Sequence, residues 1–249
     1  MKLKQLILFF VLLLGQSVGA QNDLKILVGQ FPPYIDESVE NQGIMTELVK
    51  EVFTGINAHY KIEFTTWSQA EEAIENKNAI SFAYVKNKER MRKWYFSSPI
   101  IQAPSILIKH TDSNIELEKL SDLRKYVIGV SKNYSYGEKF DNLRPGLMIE
   151  EVNSDLLNLQ KILHKRVDLF PLPLYNAIYY LRNDFNKEQR RNFEFIFSPP
   201  VNEGNLHLVC HKMNPHCIKF IELFNRGLKR AIERGVRDRI LTKYLTWQD

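Results

Sequence analysis

The chain is predicted to fold as an α/β protein with parallel strands flanked by helices. Two observations carry this. Short apolar runs alternate with segments whose apolar residues recur at helical spacing, and the connections between them are short. The same alternation then starts again after Lys109, which suggests a second set of units beside the first.

Taken in order, Leu24 to Val28 is an apolar run that stops at Gly29, as a strand buried on both faces should read. Ile44, Met45, Leu48, Val49, Val52 and Phe53 form one stripe of a helix. Ile62 and Phe64 alternate with polar residues as a strand does. Ser68 and Glu71 have capping-box spacing ahead of a helix carrying Ala73 and Ile74. Ala79 to Val85 is the next strand, followed by a short charged helix around Arg90.

In the second set, Tyr126 to Val130 and Leu147 to Val152 read as strands, separated by SKNYSYG and a helix. Ser154 caps a helix with Leu156, Leu157, Leu159 and Leu163, and Phe193 to Phe197 reads as a strand. From Leu206 the chain reads as a strand, a turn at Lys212 to Pro215, and a long helix. Phe220, Leu223, Phe224, Leu228 and Ile232 lie on one stripe of that helix.

The N-terminus reads as a secretory leader. Lys2 and Lys4 precede the apolar run Leu6 to Leu14, and Val18-Gly19-Ala20 supplies small residues for cleavage, so residues 1–20 are expected to be removed. That run is too short for a transmembrane helix, which needs about 20 residues. Removal of Lys2 and Lys4 lowers the net charge from +5 to +3. The remaining basic residues are dispersed, so nucleic acid is not implied as a partner. Hydrophobic content of 44%, with 15 Phe and 11 Tyr, is ample for a buried core.

Cys210 and Cys217 lie among His207, His211 and His216. Such crowding permits a metal, whereas an oxidising compartment favours a disulfide or two packed thiols. The spacing alone leaves the choice open, although no metal or cofactor is needed for the main function.

The order of motifs resembles one family. Trp67, an amphipathic helix, a strand, Asn87-Lys88-Glu89-Arg90, then Phe96-Ser97-Ser98-Pro99 is similar to the first lobe of the periplasmic amino-acid-type solute-binding proteins, family 3 of the bacterial extracellular solute-binding proteins. Val167-Asp168-Leu169-Phe170, the Lys212 to Pro215 turn, and Ile240-Leu241 with Lys243-Tyr244 continue the likeness to about Leu245. The resemblance implies a two-lobed periplasmic-binding-protein-like fold of type II with two crossings. Lobe 1 would comprise residues 21–109 and 205–249, and lobe 2 residues 110–204. It also implies a monomer that captures a small ligand in an inter-lobe cleft, for an inner-membrane ABC-type permease or for a sensor.

In that family the arginine grips the ligand's carboxylate, a role that suits the planar guanidinium fork and would fall to Arg90. Tyr34, at the end of Phe31-Pro32-Pro33-Tyr34, Trp67 and Tyr84 are the expected aromatic contacts. Tyr134 and Ser135 are expected from the segment opening a helix of lobe 2, where Asn133 replaces the usual glycine. Departures matter too: Asn87 stands where the family has threonine, and Pro173 where an acid pairs the ligand's ammonium. An ordinary α-amino acid would therefore lack one partner. A dehydratase-type enzyme would need an acid or histidine in the cleft, and the cleft segments offer none. No catalysis is expected. A sensory or interaction module without transport is the remaining alternative.

Overall fold

The computed structural model describes residues 24–245, so the expected leader at residues 1–20 lies outside it. Eleven strands and nine α-helices among the described residues form two lobes, each built from two strand ladders joined by a single bridge, with helices packed on them.

In lobe 1, β1 (Leu24–Val28) pairs in parallel with β2 (Tyr60–Phe64), as parallel βαβ units require. Helix α1 (Ile44–Gly55) joins them and buries the expected stripe. β1 bridges to Ile80 ahead of β3 (Ser81–Tyr84), and helix α2 (Trp67–Glu75) lies between β2 and β3. Helix α3 (Lys88–Lys93) leads to β4 (Trp94–Phe96) and the two-residue β5 (Ile101–Gln102).

Lobe 2 begins earlier than the sequence suggests. β6 (Ser105–His110) belongs to its sheet, antiparallel both to β9 (Phe170–Pro173) and to β10 (Phe193–Ile196). Its Ile106, Leu107 and Ile108 sit in the second core. The first crossing is therefore Ala103-Pro104, and the boundary expected at Lys109/His110 moves to the start of β6. All six residues of β6 are buried, so it shows no polar alternation to mark it as a strand. β7 (Val127–Ser131) and β8 (Met148–Val152) are parallel, and β7 bridges to Leu169 ahead of β9. Between these strands run α4 (Glu138–Leu143), α5 (Asp155–Leu163), α6 (Leu174–Asp184) and α7 (Lys187–Arg190).

The chain then returns through Asn202 to Gly204 into β11 (Asn205–His211), antiparallel to β3, β4 and β5 in lobe 1. Helices α8 (Cys217–Glu233) and α9 (Val236–Leu245) close that lobe against α1. Each lobe thus contains one long antiparallel strand placed directly after a crossing. Cys210 and Cys217 form a disulfide joining the end of β11 to the first turn of α8, which resolves the alternatives left open by their spacing.

The two crossings lie side by side. Ala103 N–H donates to the Gly204 carbonyl at 2.7 Å. A Cβ on Gly204, whose φ is +67°, would stand 2.0 Å from the Ala103 carbonyl carbon. Glycine is required there both by conformation and by space.

Three local features differ from the sequence expectation. Thr66, not Ser68, caps α2, in a capping box with Gln69. Helix α5 faces its core with Asp155, Asn158, Leu159 and Ile162, while Leu157 is exposed. Helix α8 buries Cys217, Ile221, Phe224, Gly227, Leu228 and Ala231, so the expected stripe shares Phe224 and Leu228 with the buried face while Phe220 and Ile232 pack at its edge.

Candidate functional site

Between the lobes lies an inner chamber of about 70 Å³. An outer, more polar cleft of about 560 Å³ shares Glu71, Arg90, Asn133, Tyr134 and Ser135 with it. Typical small-molecule pockets are about 300–1,000 Å³. A ligand would therefore have to reach from the chamber into the outer cleft, or part the lobes.

Arg90 reaches the chamber from a six-residue helix. Asn87 caps that helix by accepting from Arg90 N–H at 2.8 Å, so this departure from the family threonine has a structural role. The neighbouring Lys88 and Glu89 side chains are 69% and 71% exposed, whereas that of Arg90 is 12% exposed. The charge run is thus a solvated face with one residue turned inward. The guanidinium lies over the ring of Tyr84 at 4.8 Å and that of Trp94 at 5.6 Å, an arrangement that suits a delocalised cation. Its Nη2 donates to Glu71 Oε1 at 3.1 Å and, more weakly, to the Asn133 carbonyl of lobe 2 at 3.5 Å.

Trp67 opens α2, and its Nε1–H donates to the Gln30 carbonyl at 3.1 Å. Its ring lies so close to Gly29 that a Cβ there would approach within 2.6 Å. Tyr84 is buried and meets Trp67 edge-on at 5.6 Å. Burial, reinforced by Glu71, pushes its hydroxyl pKa well up, so it stays neutral.

Ala83, just before it, lines the chamber with a left-handed φ of 72°. This coincides with a register shift between His207 and Leu208 on β11, the mark of a bulge. Such a conformation costs an alanine about 1–2 kcal/mol, and strain of this kind collects at ligand sites.

Tyr34 is not in the chamber. It is 1% exposed, packed in the first core, with its hydroxyl unpartnered among the described residues. The loop turns tightly, with Tyr34 and Ile35 N–H both donating to the Phe31 carbonyl, and it is Phe31 that lines the cavity. Phe31 meets Trp67 at 6.5 Å and Tyr134 at 6.2 Å, both edge-on.

From lobe 2, Asn133 has φ +63°, the conformation that a glycine would supply and that asparagine tolerates. Its Nδ2 donates across the cleft to Ser68 Oγ at 2.6 Å. Tyr134 and Ser135 both line the chamber, but the Ser135 hydroxyl donates to Asp141 Oδ2 and so is already engaged. Pro173 lines the chamber as well, so no carboxylate occupies that place. Behind this wall Asp155 is buried, accepts from Ser131 Oγ and is bonded to the Tyr134 hydroxyl. Desolvation pushes its pKa up to about 6 despite these bonds.

The structure therefore brings together Arg90, Trp67, Tyr84, Tyr134 and Ser135 and excludes Tyr34. Sequence reasoning missed Phe31, Glu71 and Asn202. Asn202, on the return crossing, bonds Ser105 Oγ at 3.0 Å and the Tyr136 carbonyl at 2.8 Å. Glu71 is concealed in the sequence by its capping-box spacing to Ser68.

Solved structures share this architecture at low identity. A ligand-binding core from Nostoc punctiforme in complex with L-glutamate matches with a TM-score of 0.72 at 16% identity, covering 88% of this chain and 98% of that one. A periplasmic binding protein of an arginine transport system from Legionella pneumophila matches at 0.69 and 19% identity, covering 89% and 99%. A histidine kinase sensor domain with similarity to periplasmic binding proteins matches at 0.72 and 16%, covering 90% and 96%. Among curated proteins, no sequence matches significantly. The model of one family matches residues 24–246, and by that match the chain belongs to the bacterial extracellular solute-binding proteins, family 3.

Proposed function

We propose that this protein is an exported receptor, freed of its leader after Ala20, that closes two lobes around a small carboxylate-bearing solute. It would act as a monomer without a cofactor, binding rather than transforming its ligand, and deliver it to an inner-membrane ABC-type transporter. The observation that carries this reading is the Arg90 guanidinium, packed against two aromatic rings at the chamber wall with one donor nitrogen committed to Glu71. Five N–H donors are available to a guanidinium, so enough remain for a carboxylate. Closure of two lobes is a hinge motion that a membrane partner can read. The likeness to a histidine kinase sensor domain favours a sensor as the alternative partner, on grounds of fold.

The test is titration calorimetry with the carboxylate found by native mass spectrometry of the purified protein. Arg90→Ala is expected to weaken binding by about 2–5 kcal/mol, because a desolvated carboxylate loses its partner. Arg90→Lys should recover part of that, since an ammonium lacks the two-pronged geometry. Equal affinities for all three proteins would sink the reading.

A further inference from the structure

Among the residues lining the inner chamber, two carry charge: Arg90 and Glu71, both from lobe 1. We infer that Glu71 supplies the anionic contact for a cationic group on the ligand, in place of the lobe 2 carboxylate whose position Pro173 holds. The ligand is then a small zwitterion, with both of its charges seated on lobe 1. This inference rests on the binding role proposed for the cleft.

Three observations support it. The first is that Glu71 is committed to the very group the ligand must share. Its side chain is 30% exposed, and one of its two carboxylate oxygens sits 3.1 Å from Arg90 Nη2. An acid in an aromatic chamber needs compensation. A simple carboxylate bound to Arg90 would place two mutually repelling anions against one guanidinium. A zwitterion instead brings a cation of its own to the second anion, and the cluster stays neutral.

The second is that other acids near the cleft have partners of their own. Glu138 pairs with Lys88 at 2.8 Å, and Asp141 accepts from Ser135 Oγ and Tyr136 N–H. Glu75 accepts from Trp94 Nε1 at 2.9 Å, and Asp155 from Ser131 Oγ. The third is the chamber's aromatic lining of Phe31, Trp67, Tyr84 and Tyr134. Aromatic faces attract cations more strongly than a neutral hydroxyl in the same place.

The experiment is calorimetry on the full mature chain and on Glu71→Gln, which keeps the side chain's size and its acceptor for Arg90. Probes are the standard L-amino acids, glycine betaine, and for each binder the matched 2-hydroxy acid, which replaces the ammonium by a hydroxyl. Thermal melts establish that the variant is folded.

The wild type should prefer the amine over the hydroxy acid by about tenfold or more, roughly one step of 1.4 kcal/mol. Glu71→Gln should abolish that preference, weakening the amine at least tenfold more than the hydroxy acid. Equal loss for both probes would reduce Glu71 to a support for Arg90 and overturn the inference. Arg90-dependent binding of hydroxy acids with no preference for amines would also overturn it, while leaving the proposed function standing. Failure of every carboxylate to bind the wild type would remove both.

Discussion

The two walls of the cleft differ in kind. Lobe 1 contributes both charged side chains of the inner chamber, Arg90 and Glu71, together with Trp67, Tyr84 and Phe31. Lobe 2 contributes amide, hydroxyl and apolar surface, from Asn133, Tyr134, Ser135 and Pro173. Of its acids, Glu138 and Asp141 line the outer cleft but not the inner chamber, and Asp155 is buried behind the wall. The difference implies a division of labour. Under the proposed binding role, lobe 1 would select a charged ligand by itself, and lobe 2 would then cover it, excluding water and strengthening the contacts already made.

The same contrast extends to stability, where lobe 2 carries a buried acid and lobe 1 a disulfide. The largest expected effect is in lobe 2. Asp155 has its folded pKa raised from 3.8 to about 6. Its protonated form is therefore favoured in the native state, and its contribution is complete below about pH 4. It is lost as the pH rises through about 6. A rise of that size corresponds to about 3 kcal/mol at most. Asp155→Asn should flatten the dependence of stability on pH between about 4 and 6, as measured by urea unfolding at a series of pH values. An unchanged slope would remove the buried acid from the comparison.

Next in size is the link in lobe 1. The disulfided residues are 7 apart in sequence. Closing so short a loop is worth about 2.5 kcal/mol on the chain-entropy account. Cys210→Ser with Cys217→Ser should lower stability by about that amount, read from denaturant midpoints. A loss confined to signals from lobe 2 would contradict the assignment of this link to lobe 1.

The smallest effect is expected where the walls meet. Ser68→Ala removes the acceptor of the Asn133 amide. It should cost under about 1 kcal/mol, seen as slightly weaker ligand binding and a slightly larger radius in X-ray scattering. A tenfold loss of affinity would make the contact between lobes as important as the charges of lobe 1.

Much of this is legible in the sequence, for identifiable reasons. Strands β1 and β7 announce themselves by short apolar runs, and helix α1 by its periodicity, because their buried residues recur at the spacing of each element. Arg90 is legible through its spacing to Phe96 and Ser97, since its own neighbourhood of charges points the other way.

What escapes is equally physical. β6 is buried throughout and begins just after Pro104, so the polar His110-Thr111-Asp112 looks like the better crossing. β9 contains Pro171 and Pro173, which argue against an interior strand. They are accommodated because its parallel contact with β7 ends at Leu169, one residue before the strand begins. Two overlapping capping signatures, Thr66 with Gln69 and Ser68 with Glu71, compete in sequence. Trp67 is the first helical residue, so Thr66 prevails and Glu71 is released to face Arg90. In the Phe31 to Tyr34 loop, spacing cannot reveal which aromatic faces the cleft. That depends on the direction of a tight turn.

The contact between the crossings has a mechanical consequence. Ala103 and Gly204 touch through their backbones, so the two connections bend as a single narrow pivot rather than as two independent ones. Motion about a pivot grows with lever arm. Ser105 and Asn202, next to it and bonded to each other, can stay joined through the whole swing. In the proposed cycle of closure, contacts farther out, such as Asn133 with Ser68, would break and re-form. A side chain introduced at Gly204 would act as a wedge at the fulcrum, where the least displacement produces the greatest opening at the mouth.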